Sequence, residues 1–294
     1  MLIAMAGFTF NDVITKLSSE SMNMAQVMLV RGVFASLFVG LLAWRSGALA
    51  RSKSMLQPFV AIRVIGEAGG TVTFLIALAH LPIANVSSVL QALPLAVTMG
   101  AALVFKEEVG WRRWLAIAVG FTGVLIIVRP GFEGFSVFSL AALASVACCT
   151  VRDLATKRIP AAIPSLLVST ATAIAMTVVG AILLRPMGGW TPLTGQGTGL
   201  LALAAVLVLI GYQFIIMAMR EGDISFIAPF RYTSLLWSIV LGLVIFGDVP
   251  DLAMITGATI IIGSGLYALY RERVVGRRRI VAESTGPSMA PDGI

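Results

Sequence analysis

The sequence predicts an all-α integral membrane protein with ten transmembrane helices, arranged as two five-helix repeats of opposite orientation. Three observations support this fold class: an apolar composition, a regular series of apolar segments, and a short motif that occurs twice. Apolar residues make up 58% of the 294 residues and charged residues 12%, against roughly 45–50% and about 25% in soluble globular domains. Such a composition is typical of a chain largely buried in a lipid bilayer.

A spanning helix needs about 20 apolar residues, with about 17 as the lower limit. The apolar segments lie near residues 1–17, 24–44, 58–79, 83–105, 114–129, 137–156, 162–184, 198–219, 224–246 and 252–270. The first segment has no basic region before it and no small-residue cleavage site. We therefore interpret it as a retained helix and not as a signal peptide.

A motif near the start of each half indicates an internal duplication. The pattern Asp-x-x-Thr-Lys occurs at 12–16 and again at 153–157. Further matches follow in the same order, pairing Phe74 with Phe214, Glu108 with Asp248 and Gly123 with Gly263. Each match alone is weak, but their shared order favours a duplicated membrane chain, an arrangement typical of transporters.

Basic residues are concentrated in alternate loops, and this asymmetry predicts the orientation. One set of loops and the C-terminal segment hold Arg45, Arg51, Lys53, Lys106, Arg112, Arg113, Lys157, Arg158, Arg220, Arg271, Arg273, Arg277, Arg278 and Arg279. The other set holds Arg129 and Arg185, with Lys16 at a helix end. We expect both termini to be cytoplasmic in a bacterial inner membrane, and ten helices keep this pattern in phase.

Five helices per repeat is an odd number, so the second repeat must enter the membrane from the opposite side. We therefore predict an inverted-topology repeat. Residues 1–130 form the first repeat, 136–270 the second, and 271–294 a basic cytoplasmic segment with a disordered tail. Lys16 and Lys157 should then lie at opposite faces of the membrane.

The phrase Phe105-Lys-Glu-Glu108, followed by Gly120-Phe-Thr-Gly-Val-Leu-Ile-Ile-Val-Arg-Pro130, resembles the turn between the fourth and fifth helices of EamA-type proteins. With the duplication, it identifies the chain as similar to the drug/metabolite transporter superfamily over about residues 1–270. The closest overall resemblance is to YddG-type bacterial exporters of amino acids, aromatic ones included. This resemblance implies an amino acid substrate and transport by alternating access.

Ionisable residues inside the spans are candidates for function, because a charge at the bilayer centre costs at least ~2.5–3.5 kcal/mol. Arg63 and Glu67 lie four residues apart, so they share a helix face and can pair. The pair is either structural or, alternatively, Glu67 changes its protonation during transport. Arg152 and Asp153 are adjacent and are expected to point to different faces, toward partners on other helices.

The candidate substrate site lies where the two repeats differ. Arg231 in the ninth helix can bind a carboxylate through two hydrogen bonds, or it can form a salt bridge or reach toward the membrane surface. Its counterpart in the first repeat is Gln91, an uncharged donor and acceptor. The aromatic candidates for the pocket wall are Phe74, Tyr212, Phe214, Tyr232 and Trp237. These aromatic residues can instead be packing residues or interfacial anchors.

Two prolines are candidate hinges, since proline removes a backbone hydrogen bond and kinks a helix. Pro94 lies about midway along the fourth segment and Pro229 in the first half of the ninth. Corresponding kinks could let each half open toward one side at a time.

Several function classes lack the residues they need. The chain has one histidine, two adjacent cysteines and no phosphate-binding loop, so no catalytic residues, metal site, cofactor, nucleic acid or ATPase partner is predicted. The main hypothesis is a secondary exporter of small amphipathic metabolites, amino acids above all. The alternatives are an exporter of cationic drugs, which would need a free membrane carboxylate such as Glu67, and an integral-membrane transferase.

Overall fold

The structure is a computed structural model that describes residues 1–50, 57–106, 109–130, 135–160, 162–221 and 228–284. The helices are α1 Leu2–Ser18, α2 Met24–Arg45, α3 Pro58–His80, α4 Ile83–Leu90, α5 Leu93–Phe105, α6 Trp111–Val128, α7 Val137–Lys157, α8 Ser165–Leu184, α9 Gly195–Glu221, α10 Thr233–Leu241 and α11 Leu252–Ser284. A 3-10 segment, Ala228–Tyr232, precedes α10, and a π-helical segment, Gly242–Phe246, follows it. The described residues contain no strand, which confirms the all-α prediction.

Seven helices of the described part are long and apolar enough to cross a membrane, counting α4 and α5 as one span, Ile83–Phe105. Two further apolar helices, Gly195–Gly211 and Phe230–Phe246, are shorter. Many large apolar side chains on these helices point outward, among them Val244, Ile65 and Leu103 at 74%, 70% and 65% exposure. Such side chains are stable outside only if the surroundings are apolar too, as in a bilayer.

The most extensive helix contacts join the first part of the chain to the second: α3 packs along α7, α6 along α11, α2 along α8, and α1 along α9. Small residues let the backbones approach. A Cβ at Gly66 of α3 would lie 3.0 Å from the carbonyl oxygen of Cys148 on α7, and one at Gly123 of α6 would lie 2.7 Å from that of Gly257 on α11. Larger side chains at these positions would push the helices apart.

The fourth and ninth segments are interrupted at corresponding places. Helix α4 ends at Leu90, Gln91 and Ala92 form a turn, and α5 continues from Leu93. Proline at position 94 is in the first turn of α5, where its missing N–H costs no helical hydrogen bond. It therefore begins a second helix and does not kink the middle of one continuous helix. Pro229 lies within the 3-10 segment that changes to α-helix at Thr233, and its side chain is outside the described part.

Candidate substrate site at the crossing of the interrupted helices

The interrupted fourth and ninth segments contact each other, and hydrogen bonds between side chains join them. Gln91 Nε2 donates to Ser234 Oγ at 2.8 Å, and the hydroxyls of Ser87 and Ser238 lie 2.7 Å apart. Gln91 and Ser238 are buried, with 8% and 1% exposure. Ser234 Oγ also donates to the carbonyl of Arg231 at 3.0 Å. This polar crossing therefore lies inside an otherwise apolar bundle.

Helix α1 borders the crossing. Thr9 Oγ1 donates to the Met5 carbonyl at 2.9 Å and lies 3.5 Å from the carbonyl oxygen of Ser234. The next residue, Phe10, packs against Trp237 with ring centroids 6.2 Å apart. The site thus combines hydroxyl and amide groups from three segments with an aromatic pair.

The two residues identified by comparing the repeats lie near this crossing. Gln91 directly follows the last residue of α4, and Arg231 lies in the 3-10 segment just before α10. The Arg231 side chain is exposed, and within the described ranges no acidic side chain forms an ion pair with it. An exposed guanidinium in this segment can donate two hydrogen bonds to a carboxylate group.

The other aromatic candidates are distributed differently. Tyr232 is buried and its hydroxyl lies against Gly265 of α11, so it packs between helices. Phe74 packs against apolar core clusters that include Leu75 and Leu78. Phe214 is partly exposed on α9, and the side chain of Tyr212 lies outside the described part of the chain.

An apolar cavity of about 270 Å³ opens beside the crossing, between α5, α6 and α7. Its wall includes Ala92, the residue after Gln91, together with Phe121, Val146 and Thr150. Among the described residues of this wall, Thr150 carries the only hydroxyl group, and the other side chains are apolar. The volume is close to the lower end for pockets that hold small molecules, roughly 300 Å³.

The intramembrane carboxylate Glu67 is held by two arginines. Its Oε2 lies 3.9 Å from Arg63 Nη2, and 3.5 Å from Arg152 Nη1 on α7. Arg63 also donates to Thr172 Oγ1 at 2.6 Å. Arg152 has the expected partner on another helix, Glu67, but the expectation that Arg152 and Asp153 point to different faces is wrong, since Arg152 Nε donates to Asp153 Oδ1 at 2.7 Å. The long arginine side chain bends back along the helix, which spacing along the sequence does not reveal.

A second charged contact lies at one end of the bundle. Lys16 Nζ donates to the Leu81 carbonyl at 2.7 Å, lies 3.6 Å from Asp248 Oδ2, and is 4.9 Å from the centre of the Phe246 ring. These contacts, which we call the Lys16–Asp248 latch, join the end of α1 to the α3–α4 connection and to the residues after α10. Glu108, the predicted counterpart of Asp248, lies outside the described residues.

Sequence reasoning missed Thr9, Ser87, Ser234 and Ser238. A usable signal was present, because Ser87 and Gln91, and likewise Ser234 and Ser238, are polar residues four positions apart in apolar segments. That spacing places each pair on one helix face.

Comparisons with known proteins agree with a transporter. Residues 1–129 match the EamA-like transporter family. The chain is 30% identical over 220 residues to a riboflavin transporter of Vibrio cholerae, covering 74% of this chain and 73% of the relative. It is 25% identical over 287 residues to an S-adenosylmethionine uptake transporter of Rickettsia felis, covering 95% and 94%. It is 24% identical over 270 residues to the pseudopaline exporter CntI of Pseudomonas aeruginosa, covering 89% and 92%.

A protein of known crystal structure superimposes with a TM-score of 0.58, covering 91% of this chain and 96% of that chain at 19% identity. The fold and these relatives define a multi-pass membrane transporter and not an enzyme. The chain belongs to the EamA-like transporter family, within the drug/metabolite transporter superfamily.

Proposed function

We propose that this protein is a secondary transporter of the bacterial inner membrane that exports small amphipathic metabolites, amino acids including aromatic ones, by alternating access. The observation that carries the proposal is the polar crossing of two interrupted helices beside an apolar cavity. In transporters, discontinuous helices expose backbone and side-chain polar groups to a substrate near the middle of the membrane.

The helix pairing supports an architecture of ten helices in two inverted repeats, 1–130 and 136–270. Counting the ten predicted segments in chain order, the main contacts join one with eight, three with six, two with seven and five with ten. If each segment is replaced by the one five places further along, counting on from the tenth to the first, every pair becomes a pair of the same set. Two equivalent halves related by a twofold axis would produce this pattern, and such halves can exchange conformations.

The site has separate polar and apolar parts, as an amphipathic substrate requires. Arg231 can receive a carboxylate, and Gln91 and Ser234 can exchange their mutual hydrogen bond for bonds to the polar end of the substrate. The cavity that begins at Ala92 can take an apolar side chain. We assign Trp237 and its neighbour Phe10 to the aromatic wall of the site.

A different cargo is favoured by the relatives. Proteins named for riboflavin and S-adenosylmethionine transport cover most of this chain, and both compounds join a flat nitrogen heterocycle to a polar chain. The second candidate function is therefore transport of such a heterocyclic metabolite through the same site. The export of cationic drugs is less favoured, because Glu67 already faces two arginines.

The decisive experiment is uptake into proteoliposomes of labelled phenylalanine, threonine, riboflavin, S-adenosylmethionine and tetraphenylphosphonium, with and without a pH gradient. Saturable transport of phenylalanine that excess threonine reduces would support amino acid transport. Transport of riboflavin or S-adenosylmethionine without phenylalanine would replace the first proposal with the second. Movement of the phosphonium cation alone would refute both.

A further inference from the structure

The antiparallel helices α6 and α11 both carry arginines at the same end of the bundle. Along the α6–α11 contact, Gly123 meets Ile261, Gly120 meets Ser264, and Ala116 shares a cluster with Ala268. Each step of three or four residues back along α6 is therefore matched by an equal step forward along α11.

Continuing this register by one more step places Arg113 level with Arg271. Arg112 directly precedes Arg113 in the first turn of α6. Three arginines of the described residues therefore lie at about the same level of the two helices.

This arginine cluster lies where the apolar parts of α6 and α11 end, as residues at a membrane interface do. The apolar span of α11 ends at Arg271, while the helix continues to Ser284. Helix α6 begins at Trp111, which is 70% exposed and has the Arg112 guanidinium 5.4 Å from its ring centre. Exposed tryptophan at a helix end is typical of the headgroup region of a bilayer.

We propose that Arg112, Arg113 and Arg271 form a binding site for the headgroup of an anionic phospholipid, between α6 and α11. The guanidinium groups provide several donors for phosphate oxygens, which bind arginine through paired hydrogen bonds. Trp111 and Trp114 contact the interfacial part of the same lipid. Basic pockets between membrane helices bind anionic headgroups by this chemistry.

The test is native mass spectrometry of the full-length protein released from micelles that contain phosphatidylglycerol or phosphatidylethanolamine. The variant carries Arg112→Gln and Arg271→Gln. The matched control carries Arg45→Gln and Arg185→Gln, which remove two positive charges from other helix ends. We expect the wild type and the control to retain phosphatidylglycerol in preference to phosphatidylethanolamine. Since a lysine or arginine near the surface contributes about 1 kcal/mol, the site variant should bind about 30-fold more weakly.

Three results would overturn the proposal: equal retention of both lipids by the wild type, equal loss in variant and control, or no loss in the variant. An additional variant, Arg112→Lys with Arg271→Lys, keeps the charge but loses the paired guanidinium donors, so its preference for phosphatidylglycerol should fall below that of the wild type, and an unchanged preference would overturn the proposed binding by paired hydrogen bonds. It answers the question even if the glutamine variant does not fold. Soluble glycerol phosphate is a further probe, and its binding as tightly as the lipid would identify a site for free phosphate esters instead.

Discussion

Replacing Lys16 with methionine is expected to open the end of the bundle at which the latch lies. The ammonium group bonds to the Leu81 carbonyl at 2.7 Å and lies 3.6 Å from the Asp248 carboxylate. Methionine keeps much of the apolar length of lysine but removes the charge and the donor. The three segments that meet at Lys16 would then have no ion pair to hold them together.

The magnitude follows from the geometry. Two unit charges 3.6 Å apart attract by about 4.6 kcal/mol at an effective dielectric constant of about 20. The side chains of Lys16 and Asp248 are 15% and 26% exposed. Hydration of the separated charges therefore offsets part of this attraction. A net loss of about 2 kcal/mol remains, and it corresponds to about a 30-fold shift toward the open arrangement.

The assay is the rate at which a membrane-impermeant maleimide labels a cysteine at the crossing. Ser87→Cys, in a background with Cys148→Ala and Cys149→Ala, places the only thiol next to the candidate site. Lys16→Met should accelerate labelling by about 30-fold, provided that opening limits access. Lys16→Arg should leave labelling slow, because the charge and donors remain.

Two further measurements separate the latch from a general loss of charge. Arg185→Met removes a positive charge from the same end of the bundle and should not change the labelling rate. The two ends coincide because Asn23, shortly after α1, donates a hydrogen bond to the carbonyl of Gly189, shortly after Arg185. The exchange Lys16→Asp with Asp248→Lys should restore slow labelling. Equal rates in the wild type and in Lys16→Met would refute the assignment of the latch as a closure.

Three other outcomes are expected. Gln91→Leu removes the amide that bonds to the α10 serine, so KM for the transported substrate should rise about tenfold, for a loss of 1–2 kcal/mol; an unchanged KM would remove Gln91 from the site. Glu67→Gln leaves two arginines without their shared carboxylate, so the free energy of unfolding should decrease by about 3 kcal/mol and the midpoint of thermal unfolding should fall. If Glu67 instead couples transport to protons, this variant would keep its stability and lose its dependence on the pH gradient. Gly265→Ala places a methyl group against the Tyr232 hydroxyl and should destabilise the protein by about 1–3 kcal/mol. Adding Tyr232→Phe should recover most of that loss in the same unfolding assay, and a lack of recovery would show that the clash lies elsewhere.

The apolar segments and the helical class could be predicted because hydrophobicity and helix length are local properties of the sequence. Gln91 and Arg231 could be proposed from the sequence, since comparing the two predicted repeats identifies a position where one carries a charge and the other an amide, and their role in a site stays a prediction. The orientation of the Tyr232 side chain could not be predicted. It depends on Gly265 in another helix, which meets Tyr232 only when the helices pack. The second partner of Glu67, Arg152, is likewise distant in sequence.

The arrangement of α1 shows how the candidate site and the latch can act together. Thr9 and Phe10 contact the α10 residues at the crossing, and Lys16, less than two turns further along the same helix, forms the latch. Six residues of α-helix span about 9 Å, and a packed helix of that length moves as a rigid unit. A displacement of α1 that widens the crossing would therefore pull Lys16 away from Asp248. Access at one end of the bundle and the geometry of the site would then change in the same movement, as alternating access requires.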